Sequence, residues 1–223
     1  MFNGLLLLTA VAFVAEWYAV ASKSSRLRRV TKPAALLALL AWFTQQGAWQ
    51  GILWWFGMGL LLSLAGDIFL LLPVWCFPAG ALSFLTAHVC YIIGLNQTLP
   101  IVTWQSLLVV AAAAVVVFLF ARKFFRSLKH RHSKRLKALI IVYMIGISIM
   151  LLSALLTPLR PGWPPAAAAW TVTGAVLFVI SDSTLAWNKF IHPLKHGNLV
   201  VMVTYLLGQL GIVTGALLAF GEI

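Results

Sequence analysis

The chain has 223 residues, of which 62% are hydrophobic and 9% charged, with a mean hydropathy of +1.00 and a formal net charge of +12 at pH 7. A water-soluble domain carries roughly a quarter charged residues, so the composition excludes one and points to an all-α, membrane-embedded helical bundle. The basic excess does not mark a nucleic-acid partner either, because it falls in short runs between apolar segments, the pattern of membrane orientation.

Eight apolar stretches fall at about 3–21, 31–46, 51–72, 76–96, 103–122, 136–157, 166–188 and 198–220. Each is near the ~20 residues a helix needs to cross hydrocarbon, and together they predict a single transmembrane domain over residues 1–223 with about eight spans. In the first, Ala19-Val20-Ala21 has the look of a signal cleavage site. The positive charges follow that segment instead of preceding it, and Glu16 interrupts it, so it is expected to remain as a span. The second opens at Lys32-Pro33, where a proline suits a helix's first turn. Pro73, Pro78 and Pro100 help place the breaks around the fourth span. The connection Thr157–Pro165 holds four prolines and reads as a stiff external loop.

Orientation follows from the basic residues. The first connection carries Lys23, Arg26, Arg28, Arg29 and Lys32. The fifth carries Arg122, Lys123, Arg126, Lys129, Arg131, Lys134, Arg135 and Lys137, and the seventh carries Lys189 and Lys195. Fifteen of the sixteen basic residues thus lie in odd-numbered connections, and Arg160 alone lies opposite. The positive-inside rule places those connections in the cytoplasm and both termini outside. The fifth, with His130 and His132, reads as an orientation signal among lipid headgroups before it reads as a dedicated anionic-lipid dock. Trp54, Trp55, Trp75, Trp163 and Trp187 stand near span ends as an interfacial belt. Cys76 and Cys90 have no metal-ligand spacing and read as packing residues.

The chain has four acidic residues, and three of them, Glu16, Asp67 and Asp182, lie inside expected spans. A carboxylate in hydrocarbon costs at least a few kcal/mol, so intramembrane acids are functional candidates. Counted from span ends, all three fall in the cytoplasmic half. Lys32 and Tyr205 reach a similar level, so these groups can converge on one inward-opening pocket, with Lys32 placed to hold a phosphate at a helix start. In the fourth span, Phe84, His88 and Tyr91 share one helical face. His88 is either an interhelical hydrogen-bond partner or a proton donor or acceptor beside a carboxylate. Leu64-Ala65-Gly66-Asp67 and Val179-Ile180-Ser181-Asp182, four spans apart, suggest two four-helix repeats. Gly208, Gly211 and Gly215 read as helix packing. No metal, nucleotide or haem ligand set is expected, so neither metal nor cofactor is assigned.

At these residues the chain resembles the lysoplasmalogenase (YhhN-type) family of multi-pass membrane proteins. The resemblance runs through Lys32-Pro33, Ser63-Leu64-Ala65-Gly66-Asp67, Phe84 to Tyr91 with Ala87-His88, and Phe178 to Asp182 with Ser181-Asp182. It implies hydrolysis of the vinyl ether of a lysoplasmalogen, a lysophospholipid substrate, to a fatty aldehyde and a glycerophospho-alcohol. It implies an active site lined by Lys32, Asp67, His88 and Asp182, in a bacterial inner membrane. The expected catalytic residues are Asp67, Asp182 and His88, with Lys32, Tyr91, Tyr205 and Glu16 contacting substrate. Independently, vinyl ether cleavage needs one carboxyl to protonate carbon and one carboxylate to steady the cation and activate water, as paired carboxylates do for glycosides. Which Asp is the acid stays open. The rival expectations are a proton-coupled small-molecule or lipid transporter using the same acids, and a scaffold without chemistry. Oligomeric state is not legible.

Overall fold

The computed structural model describes residues 3–47, 49–128 and 133–221. Its eight long helices are α1 (Gly4–Ala21), α2 (Ser25–Gln45), α3 (Leu53–Leu71), α4 (Phe77–Leu95), α5 (Trp104–Ser127), α6 (Lys134–Leu155), α7 (Pro165–Phe190) and α8 (Gly197–Phe220). Single 3₁₀ turns, Val74–Cys76 and Thr157–Leu159, precede α4 and follow α6, and there is no strand among the described residues. The helices fall within a few residues of the expected spans because polar caps sit where hydropathy drops. Asn3 accepts from Leu6 N, Ser133 accepts from Leu136 N, and Thr103 and Ser106 form a reciprocal capping box. Both cysteines are free. His130 and His132, in the fifth connection, lie outside the described residues.

Seven helices are long and apolar enough to cross a membrane: all but α2. That helix begins at Ser25, capped by Ser24, six residues before the expected start of its span. Its first turns therefore carry Arg26, Arg28, Arg29 and Lys32, and its apolar part begins only at Pro33. Arginine and lysine are good helix formers, so a connection read as a basic loop continues as helix.

The chain runs up and down. At one end, the last turns of α1, α3 and α7 meet the first turns of α2, α6 and α8, as in Thr31–Glu16, Tyr205–Asp67 and Tyr143–Asp182. At the other end, Asn3 reaches Gln45, and Arg160 donates to Thr98 O and to Asn96 Oδ1. The three intramembrane acids and the basic connections share the first end, here termed the basic end.

Packing is tightest between α7 and α8. A Cβ at Gly174 would stand 2.5 Å from Ile212 N and 2.7 Å from Gly208 O, and one at Gly211 would stand 2.7 Å from the Gly174 Cα. The glycines let the two backbones touch, as the G-x-x-x-G spacing predicts. In α3, Gly59 and Gly66 leave slots filled by the rings of Tyr91 and Phe84 from α4. The main core joins every helix except α5. A second cluster of Phe124, Leu128, Ile140 and Phe190 fastens the basic end of α5 to α6 and α7. Elsewhere α5 presents Leu107, Leu108, Val115, Val116, Phe118 and Leu119 outward, a surface suited to lipid.

Candidate active site

The expected polar residues resolve into two clusters. In the first, Lys32 Nζ of α2 lies 3.0 Å from Asp67 Oδ1 of α3, and the Tyr205 hydroxyl of α8 donates to Asp67 Oδ2 at 2.9 Å. All three side chains are almost fully buried, Lys32 at 5%, Asp67 at 1% and Tyr205 at 4% exposure. Away from water a carboxylate must be paired and hydrogen-bonded, and both Asp67 oxygens are. Lys32 is spent on that pairing.

In the second cluster, the Tyr143 hydroxyl of α6 donates to Asp182 Oδ2 of α7 at 2.5 Å and lies 3.2 Å from His88 Nε2 of α4. His88 Nε2 is 3.5 Å from the same carboxylate oxygen. With the Tyr143 hydroxyl donating to Asp182, the His88 tautomer that complements the hydroxyl oxygen carries its proton on Nε2. His88 Nδ1 is buried without a hydrogen-bond partner. Asp182 is the more accessible of the two aspartates, its side chain 12% exposed against 2% for Asp67.

The two clusters are built alike. Each aspartate draws one partner from the helix before its own (Lys32 of α2, Tyr143 of α6) and one from the last helix of the other half (Tyr205 of α8, His88 of α4). This exchange follows the correspondence of α1–α4 with α5–α8 suggested by the two Asp motifs. The halves diverge at α5, which meets α6 and, at its basic end, α7, and leaves much of its length exposed, whereas α1 packs along both α2 and α8.

Phe178 lies between the clusters. Its ring centroid is 5.0 Å from that of His88 and 5.5 Å from that of Tyr205, edge-on to both. Phe84 meets Tyr205 edge-on at 5.8 Å. Phe84 also lines a cavity of about 200 Å³ enclosed by α3, α4, α5, α6 and α7. The cavity wall is almost wholly apolar, with Val116, Phe120, Phe124, Ile147 and Val179 among its residues, and its polar lining comes from Tyr143, Ser148, Asp182, Ser183 and Lys189. Of the expected site residues, Asp182 alone lines it; Phe84 is the ring between it and Tyr205.

The remaining expected residues lie apart. Tyr91 is fully buried and donates to Gln209 Oε1 at 2.6 Å. Glu16, also fully buried, accepts from Thr31 at 2.5 Å and from Arg28 Nε at 3.3 Å, tying α1 to the start of α2. No hydrogen bond or ion pair among the described residues joins Glu16 to Lys32, Asp67 or Asp182. Two participants were missed by sequence reasoning, Tyr143 and Gln209. Tyr143 stands nine residues into its helix, a depth comparable to that of Tyr205, and that depth was the available signal. No group of three or more His, Cys, Asp or Glu residues that could hold a metal ion occurs among the described residues.

Residues 27–216 match the model of the YhhN family. The chain is similar to Lysoplasmalogenase TMEM86B of Sus scrofa, 33% identical over 67% of this chain and 58% of the relative. It is 32% identical to Lysoplasmalogenase TMEM86B of Homo sapiens, over 71% of this chain and 61% of that one. With the Lysoplasmalogenase of Mycobacterium tuberculosis it shares 32% identity over 61% of this chain and half of the relative. The matched region thus takes in less than two thirds of each of these relatives. No solved structure matches it. The family match spans α2 to α8 and includes both aspartate clusters, and on that extent the chain, a multi-pass helical membrane protein, belongs to the YhhN family.

Proposed function

We propose that the protein is a membrane-embedded hydrolase that cleaves the vinyl ether bond of a lysoplasmalogen, releasing a fatty aldehyde and a glycerophospho-alcohol. The observation that carries this reading is the cavity: an apolar hollow walled by α3 to α7, suited to a hydrocarbon tail, meeting a carboxyl group held by Tyr143 and His88. The three relatives named above are lysoplasmalogenases by name. The intramembrane carboxylates of the bundle gather toward one end, which suits a substrate entering from one leaflet better than passage across the membrane. With the basic connections in the cytoplasm, residues 1–223 would form one bundle of a bacterial inner membrane, fed from the inner leaflet.

In this reading Asp182 is the acid. Its protonated carboxyl delivers the proton to the alkenyl carbon beyond the ether carbon, leaving an oxocarbenium ion. The resulting carboxylate steadies that cation and takes a proton from the water that adds to it. The hemiacetal then collapses to aldehyde and free hydroxyl, and the carboxyl is again protonated. His88 and Tyr143 orient Asp182 and take part in its proton exchange. Asp67, ion-paired to Lys32 and hydrogen-bonded to Tyr205, anchors the aromatic wall of Phe84 and Phe178 that separates it from Asp182. Tyr91 and Gln209 support Tyr205 from the far side, and Glu16 holds α1 against the end of α2 from which Lys32 projects.

The test is aldehyde release from a choline or ethanolamine lysoplasmalogen by purified protein in detergent. Release by the wild type and none by a folded Asp182→Asn variant is expected. A folded wild type that releases no aldehyde from either lipid would sink the assignment.

A further inference from the structure

The cavity has a second polar feature. Lys189 belongs to the last turn of α7 and lines the same wall as Asp182, seven residues further on. Seven residues are nearly two helical turns, so the two side chains share a face and lie about 10 Å apart along the axis. Between them the wall is Ser183, Leu185 and Ala186, and on the other side of Asp182 it is apolar, apart from Ser148, from Val179 onward to Ile147 and Leu151. The Lys189 ammonium rests 4.1 Å from the centroid of the Phe77 ring. It pairs with no carboxylate among the described residues, where Glu16, Asp67 and Asp182 are each engaged elsewhere. Lys32, the cation expected to hold a phosphate, is buried against Asp67 and does not line the cavity.

We propose that Lys189 is the headgroup anchor of the cavity and that its ligand is a single-chain lipid with a phosphate on a short glycerol spacer. The order of surfaces along the cavity matches such a molecule from end to end. The hydrocarbon tail takes the apolar end, the ether linkage lies at Asp182 and Tyr143, and the phosphate meets the ammonium at the basic end. A lysine on a flexible stem over an aromatic ring reaches a phosphate as a mobile point charge. Asp182, two turns away, is too far along the helix to neutralise it. The proposal rests on the hydrolase reading for the chemistry at Asp182, but the anchor itself is a statement about binding.

The test therefore uses ligands that cannot be cleaved. A 1-alkyl-glycerophosphocholine lacks the alkenyl carbon to be protonated, and the matching 1-alkylglycerol lacks the phosphate. Their binding to purified protein in detergent is followed by tryptophan fluorescence for wild type, Lys189→Gln and Lys189→Arg. The glutamine variant is expected to bind the phosphate-bearing lipid about tenfold more weakly, the worth of one charge-assisted contact. It is expected to bind the alkylglycerol as the wild type does, and arginine should restore the loss. Equal affinity of Lys189→Gln and wild type for the phospholipid, or the same loss for both ligands, would overturn the anchor. On lysoplasmalogen, the glutamine variant should raise KM with little change in kcat. Absence of aldehyde from wild type alongside the expected binding pattern would retire the hydrolase reading and leave the phosphate site standing.

Discussion

Tyr143 and Asp182 share a 2.5 Å hydrogen bond at the wall of the cavity, and the same hydroxyl lies 3.2 Å from His88. Three helices thus meet at one oxygen. Tyr143→Phe removes that oxygen while keeping the ring that packs edge-on against His88. A hydrogen bond to a charged partner contributes about 1.5–3 kcal/mol. Aldehyde release should therefore fall roughly tenfold to a hundredfold, and the thermal unfolding midpoint should drop by several degrees. Wild-type turnover in the folded variant would remove Tyr143 from the proton path.

The Lys32–Asp67 pair allows stability to be separated from chemistry. Removing one partner of a buried pair leaves the other charge without compensation, at a cost of about 3–5 kcal/mol, whereas removing both is often close to neutral. Lys32→Met should lower the unfolding midpoint sharply, and Lys32→Met with Asp67→Asn should recover most of that loss. If Asp67 takes part in the reaction, the stable double variant remains inactive. A stable and active double variant would reduce the pair to a structural tie.

Gly174 and Gly66 should respond differently to alanine. At Gly174 the new Cβ would stand 2.5 Å from Ile212 N, and neither backbone can yield without parting α7 from α8. At Gly66 the obstacle is the Phe84 ring, at 2.6 Å. Overpacking costs about 1–3 kcal/mol, and a rigid backbone neighbour puts Gly174→Ala at or above the top of that range. Gly66→Ala should be milder in thermal unfolding. It should still impair turnover, because Phe84 is the ring between the cavity and Tyr205. Equal midpoints for the two variants would contradict the close approach of α7 and α8.

Arg160 joins two connections at the end opposite the aspartates, donating to Thr98 O and Asn96 Oδ1. The residue is 5% exposed, and burial pulls its pKa down from the usual arginine value. Arg160→Met would remove both hydrogen bonds from acceptors that are exposed (Asn96) or half-buried (Thr98), where water takes over in part, so each is worth about 0.5–1.5 kcal/mol. The unfolding midpoint should drop by several degrees while kcat for the remaining folded protein stays at the wild-type value. A large loss of kcat at unchanged stability would place this end of the bundle in the reaction cycle.

The order and rough limits of the eight helices were legible because hydrocarbon accepts only long apolar helices, and these stand out in sequence. The intramembrane acids were legible for the same reason: a carboxylate there is costly enough that Asp67, Asp182 and Glu16 attract notice without any structure. The α7–α8 glycines were readable from spacing. The start of α2 was not, since basic residues read as loop but also favour helix.

Hydropathy and the placement of charge along the chain therefore specify the class, the spans and the short roster of groups with chemistry. How that roster is divided depends on packing. Which helices adjoin depends on packing across long stretches of chain, so sequence gathered Lys32, Asp67, Tyr205, Glu16 and Asp182 at one level as a single pocket. The fold instead inserts Phe178 and Phe84 between two carboxylate clusters and ties Glu16 to Arg28 and Thr31. It also brings Tyr143 to Asp182, across 39 residues of chain, and gives that aspartate the cavity. Depth along a helix is a one-dimensional property that hydropathy records. The neighbour across a helix interface is set by the rotation of each helix about its axis, which only the packed bundle fixes.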